Sequence, residues 1–178
     1  RNGFGYLEIG KNISGTVLNL ETLNNTTLSG DLENLGSLNK TGSKELLLNG
    51  GGTIIGSFNV MDGSAVVDGA HTVYEVGNIN VASDTSMKFI GESTVKGNSE
   101  DSLLTSSGTV FIKNATVELD VLVNDGSLTL DDNAEVLGDM ILNNGELNLS
   151  GTGLKLDEGG RIILQSSDTI EEASHTMN

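Results

Sequence analysis

Residues 126–130 read GSLTL and residues 145–149 read GELNL, with DDNAEVLGDMILNN between them. In each phrase a glycine is followed by apolar residues at every second position, the two-residue rhythm of a strand with one buried face. The stretch between holds two more such runs, Ala134 to Leu137 (AEVL) and Asp139 to Leu142 (DMIL). Asp131, Asp132, Asn133, Gly138, Asn143 and Asn144 separate the runs, and these residue types favour turns because they tolerate backbone conformations that others avoid. One unit is therefore three short strands and three corners.

The phrase recurs at Gly56 (GSFNV), Gly77 (GNINV) and Gly108 (GTVFI), with weaker copies at Gly15 and Gly36. From Gly15 through Gly36, Gly56, Gly77, Gly108 and Gly126 to Gly145 the intervals are 21, 20, 21, 31, 18 and 19 residues. A hairpin partner would lie only a few residues away. A period near 20 with three strands in each unit instead makes the chain coil, each strand pairing with its equivalent one rung later. The expected fold is all-β, a single-stranded parallel β-helix (β-solenoid) with about 20 residues and three strands per rung. It covers residues 1–164, and residues 165–178 (QSSDTIEEASHTMN) form a tail or a truncated rung. At the usual strand spacing, seven rungs and the Tyr6 to Ile9 run make a rod roughly 35 to 40 Å long.

Composition agrees and excludes much else. The 178 residues include 24 glycines and no proline, cysteine or tryptophan. Without cysteine there is no disulfide framework, thiolate zinc site or cysteine nucleophile. Missing proline suits strands paired above and below, since each residue must donate its N–H. Lys+Arg 9 against Asp+Glu 25 gives a net charge of -16, which repels phosphate backbones and anionic membranes at long range; neither nucleic acid nor membrane contact is expected. Hydrophobic residues, at 36% and regularly placed, argue for order. Arg1 to Gly15 has neither the basic start nor the apolar core of a signal peptide, so the chain reads as a soluble mature or excised piece.

Within each phrase the second and fourth residues after the glycine should point inward: Phe58 and Val60, Ile79 and Val81, Val110 and Ile112, Leu128 and Leu130, Leu147 and Leu149. The residue between faces outward and should stack as one row, Asn39, Asn59, Asn80, Phe111, Thr129 and Asn148, either as solvated side chains or as an amide ladder. The recurrent glycines should supply positive φ at the corners. The long interval carries a surplus at Asn98 to Ser107 (NSEDSLLTSS). That segment reads as a loop leaving the rod, with Glu100, Asp101, Leu103 and Leu104 as candidate contacts.

The glycine-anchored GSLTL and GELNL phrases, the Asn-Asp-Gly corners, the absent cysteine and proline and the acidic balance together resemble the passenger region of bacterial type V autotransporters. The resemblance covers residues 3–164 and is one of pattern. It implies a right-handed three-faced β-helix, exported through a C-terminal outer-membrane barrel encoded elsewhere in the parent chain. The implied role is a cell-surface or secreted adhesin used for adhesion, aggregation or biofilm formation, with virulence as the setting. Its implied partners are a host-cell or bacterial surface receptor, or further copies of itself.

Catalysis finds little support. Polysaccharide-acting β-helix enzymes need paired carboxylates and a basic group. The pairs Asp62 and Asp68, Asp131 and Asp132, and Asp157 and Glu158 sit at corners, where aspartate serves turns. Only Arg1 and Arg161 are arginines, and His71 and His175 stand alone. Gly50-Gly51-Gly52-Thr53 lacks the aspartate of calcium-binding repeats, and no metal or cofactor is expected. Sequons at Asn12, Asn24, Asn25, Asn39, Asn114 and Asn148 follow from the abundance of Asn, Ser and Thr. The expected function is a non-catalytic adhesive segment. A passive stalk that presents a distal domain is the alternative, and a polysaccharide-acting enzyme the second.

Overall fold

The computed structural model describes residues 7–70, 72–156, 160–165 and 169–172. Outside them lie the sequence-predicted strand start at Tyr6, the lone His71 and His175, Arg1, the Asp157 and Glu158 pair, and most of the expected tail. The described residues contain strands and no helix, stacked in parallel as a β-solenoid of about 8 rungs roughly 20 residues apart.

Each rung crosses three faces. Face 1 is a nine-stranded sheet that includes Glu45–Leu48, Ser64–Asp68, Ser86–Ile90, Thr109–Lys113, Ser127–Asp131 and Glu146–Leu149. Faces 2 and 3 share a thirteen-stranded sheet, because the long strands Gly51–Val60 and Val73–Val81 run on round the corner between them. In the rungs after Val81 the same path is split into separate strands, as in Thr94–Gly97 followed by Leu103–Ser106. The unit expected from residues 127–142 appears as Ser127–Asp131, Glu135–Val136 and Met140–Asn143.

Alternation builds the core directly. Face 1 sends in Leu46, Ala65, Met87, Val110, Leu128 and Leu147, in register one above another and each 0% exposed. Face 3 stacks Leu38, Phe58, Ile79, Leu104, Val121 and Met140. Face 2 adds Ile54 and Val76 in one column and Tyr74, Val95, Val117 and Val136 in another, and the columns of the three faces form one continuous core. Burying each such side chain contributes about 1.5–3 kcal/mol.

The recurring phrase turns out to occupy two different faces. The copies at Gly36, Gly56 and Gly77 lead into face 3, whereas those at Gly108, Gly126 and Gly145 lead into face 1. The long interval is therefore one rung plus one face. Both corners demand glycine for the same reason: a Cβ on Gly77 would lie 2.2 Å from the Gly56 carbonyl oxygen, and one on Gly126 would lie 2.4 Å from that of Gly108. Of the recurrent glycines Gly15 holds positive φ, at 147°; on face 1 it belongs instead to the residues before the glycines, Asp125 at 55° and Asn144 at 53°. At the corner between faces 1 and 2, Glu92, Asn114, Asn133 and Gly153 also hold positive φ, and Asn133 Nδ2 donates to Asn114 Oδ1 at 2.9 Å.

The second half of the expected loop is sheet. Leu103–Ser106 pairs with Val73–Val81 below and Asp120–Asn124 above, and Leu104 is fully buried. Only Asn98 to Ser102 forms a wider corner; Glu100 and Asp101 are exposed there, while the Ser102 hydroxyl is held by Ser99 at 3.1 Å. The triple glycine also has a packing role. Tyr74 pairs in register with Gly52 and is 1% exposed. The amides of Gly50 and Gly51 face its oxygen without closing a well-formed hydrogen bond. Burial, reinforced by the Asp31 carboxylate, pushes this phenol above its usual range.

The corner between faces 3 and 1 is lined with buried polar groups that satisfy its carbonyls. Thr22 Oγ1 donates to the Lys44 oxygen at 2.7 Å, and Thr85 Oγ1 to the Ala82 oxygen at 2.7 Å. In the rung next to that of Thr22 the inward position carries Lys40, fully buried, with its ammonium donating to the carbonyls of Gly42 and Asp62. Burial lowers the Lys40 pKa from 10.5, with the Asp62 carboxylate opposing. A lysine whose folded-state pKa is lowered binds fewer protons folded than unfolded in the window below 10.5, so folding gains stability there as pH rises. Urea denaturation should accordingly show wild type gaining on Lys40→Met between pH 7 and pH 10; a constant difference would mean that Lys40 does not titrate low.

Candidate functional site: the outer surface of face 3

Face 3 presents three outward columns along the rod. The central one runs Asn19, Asn39, Asn59, Asn80, Thr105, Leu122, Ile141 and Ile163 in unbroken register. Register shifts in the shared sheet fall between Leu32 and Leu35 and between Ile54 and Ser57, outside this column. Its first four residues form a hydrogen-bonded amide ladder. Asn39 Nδ2 donates to Asn19 Oδ1, Asn59 Nδ2 to Asn39 Oδ1, and Asn80 Nδ2 to Asn59 Oδ1, each at 2.7 Å. Parallel stacking makes this possible, because identical residues in register repeat at the strand spacing.

Of the expected outward row, the structure joins Asn39, Asn59 and Asn80 and separates the rest. Phe111, Thr129 and Asn148 stack on face 1, above Lys88. Asn19 belongs to the ladder but escapes the phrase, because the corner after Gly15 holds one more residue than the corner after Gly36: Val17 pairs with Ser37. The alternation of residues 17–21 (VLNLE), with Leu18 and Leu20 inward, is the signal that places it. Leu103 stands on the outer surface beside the central column, whereas Leu104 lies in the core.

Beyond Thr105 the central column changes character. Leu122 and Ile141 are half-buried apolar side chains on the outside of the rod, where strand alternation in a soluble sheet normally places polar residues. They are flanked on one side by Asp120 and Asp139 and on the other by Asn124 and Asn143, whose amides pair at 3.1 Å. Arg161 Nε donates to Asp139 at 3.1 Å. The Arg161 guanidinium holds the Asp139 carboxyl below its ordinary value.

Charge is concentrated elsewhere. On face 2, Lys96 pairs with Glu75 at 2.9 Å, and at the next corner Lys113 reaches Asp131 at 2.8 Å and Asp132 at 3.1 Å. The outward residues of face 3 between Ser37 and Ser107 carry no charge at all: Ser37, Asn39, Thr41, Ser57, Asn59, Met61, Asn78, Asn80, Ala82, Leu103, Thr105 and Ser107. On a chain of net charge -16 this is the strip that another surface can approach with least repulsion.

An open trough of about 500 Å³ runs along the corner between faces 3 and 1. Asp84, Asp125 and Glu146 line it together with glycines and hydroxyls, and no basic side chain does. Hydrogen bonding is one chemistry such a lining offers. Among the described residues no group of three or more His, Asp or Glu is placed to hold a metal ion, and no helix is long and apolar enough to cross a membrane. No family model matches the chain, and no curated protein or solved structure matches it.

Proposed function

We propose that this chain is a rigid, non-catalytic adhesive rod whose face 3 is its contact surface, mediating attachment or self-association at a cell surface. The observation that carries the reading is the central column of face 3, in which four laddered asparagines run into an outward apolar stripe on an otherwise acidic molecule. An ordered row of amides loses little further side-chain entropy when it meets a partner, and each amide nitrogen has two N–H groups of which the ladder uses one. The pattern resemblance to autotransporter passengers supports surface display, with export through an outer-membrane barrel as the route.

A passive stalk is the second reading, favoured by the continuous stacking and by the reduction of the expected loop to one wide corner. Beads coated with the chain separate the two. Asn59→Asp removes the donor to Asn39 and sets carboxylate against amide oxygen, while Ile141→Asp charges the apolar stripe. Both variants should lose most bead clumping and attachment to cells, and Glu75→Gln on face 2 should keep them. Undiminished clumping and attachment in both face 3 variants, with the rod still folded by circular dichroism, would establish the stalk instead.

A further inference from the structure

Building on the proposed contact role of face 3, we infer that its occupant is a second copy of this chain, laid parallel and in register, with a two-fold axis running along the rod. A second copy is a partner that shares the rung repeat, so contacts made at one rung recur at the next without drift. The inference depends on the three outward columns and on their polarity along the rod.

A two-fold axis parallel to the rod keeps every rung at the height of its equivalent and reverses the strand direction across the interface. The central column then meets itself: Asn39 and Asn59 face the partner's amides, and Leu122 and Ile141 face the same apolar residues. The side columns exchange, so that Asp120 and Asp139 come opposite Asn124 and Asn143 of the same rungs. Each carboxylate therefore meets an amide that has an N–H group beyond the one used in the ladder. No like-charged pair is created along the described length of the face, since the charged outward residues, Glu21, Asp120, Asp139 and Arg161, all oppose neutral positions.

The antiparallel arrangement fails on the same residues. A partner turned end over end and aligned at mid-rod lays Leu122 and Ile141 against the asparagines, leaving amide groups without partners, which is costly when buried. Sliding it until the apolar stripes overlap brings Asp120 of one copy against Asp139 of the other, because in this orientation each side column meets itself. The change from amides to aliphatics at Thr105 thus selects orientation by penalising the alternative.

The chain has no cysteine, which makes disulfide trapping clean. Asn39→Cys and Ile141→Cys variants of the full chain would be oxidised singly and as a mixture of differently tagged proteins, with Thr129→Cys on face 1 as the control. Each face 3 variant should trap its own homodimer, about tenfold in excess over the mixed heterodimer, and Thr129→Cys should trap little. Sedimentation of the unsubstituted chain should show a dimer that tightens as salt screens the net charge. Predominant heterodimer would overturn the parallel arrangement. Monomeric sedimentation with no trapping on face 3 would overturn self-pairing itself. If Asn59→Asp and Ile141→Asp still abolish attachment of monomeric protein to cells, face 3 remains the contact surface and only its occupant has been misidentified.

Discussion

Leu128→Asp is expected to unfold the rungs on either side of it, not merely to weaken one. Leu128 is 0% exposed and sits in register between Val110 and Leu147, both equally buried. Truncating such a leucine costs about 2–5 kcal/mol through lost burial and the cavity left behind, and placing an unpaired carboxyl in the same site adds a desolvation penalty of roughly several kcal/mol more. The sum is comparable to the whole stability of an ordinary domain, about 5–15 kcal/mol. Because each rung rests on its two neighbours only, the loss propagates along the stack instead of staying local. Hydrogen exchange should show amides of Thr109–Lys113 and Glu146–Leu149 exchanging orders of magnitude faster than in wild type. Exchange unchanged in these strands would mean that Leu128 does not face the core.

Deleting residues 98–107 should be equally destructive, although the sequence pattern alone marks the segment as a removable loop. The deletion takes out Leu103–Ser106 whole, and with it the buried Leu104 and the pairing of that strand to both neighbours. Val73–Val81 and Asp120–Asn124 would then face each other across a missing rung on face 3. Removing only Ser99 to Ser102 is a different operation. It leaves residue 98 where the rung below has Gly77, since Gly97 pairs with Val76 and Leu103 with Asn78; with Asn98→Gly made alongside to suit that crowded corner, the amide keeps the bond that Asn98 N–H donates to the Val76 carbonyl at 2.9 Å. Thermal melts should show the short deletion close to wild type and the long one without a cooperative transition. A long deletion that melted like the parent would place this strand outside the rod.

These two variants also mark where the sequence speaks clearly and where it does not. Strand alternation, the period near 20 and the inward leucines are legible because each depends on local pattern: a residue two positions from a buried one is buried. Which face a strand occupies is not local. Gly36, Gly56 and Gly77 on one corner, and Gly108 and Gly126 on another, are each required by a close carbonyl from the rung below, and Gly145 by the Val123 side chain, so the same phrase precedes strands on two faces. Followed as a single column, the phrase puts Phe111, Thr129 and Asn148 in a row with Asn39, Asn59 and Asn80. The same ambiguity makes a strand read as a loop.

Two further features lay below the reach of pattern. Lys40 occupies an inward position that alternation assigns to an apolar side chain, and only the convergence of the Gly42 and Asp62 carbonyls explains it. The backbone exceptions fall on Asp125 and Asn144 instead of the glycines that follow them, because in these two Asx-Gly pairs the first residue takes the left-handed conformation and the second the crowded site. The proposed contact face is half legible in the pattern. Three of its asparagines were visible, but Asn19, one residue out of step, and the outward Leu122 and Ile141, which alternation alone reads as ordinary strand residues, required the stacking register.

Hydroxyl-radical footprinting of the bead-bound, adherent rod against the isolated rod tests the contact surface most directly. Leu122 and Ile141 report on face 3 and Phe111 on face 1, so one experiment compares both surfaces in the same molecule. The predicted result is a marked fall in oxidation at Leu122 and Ile141 on adhesion, with Phe111 unchanged. Protection of Phe111 while Leu122 and Ile141 stay as reactive as before would contradict the assignment of face 3.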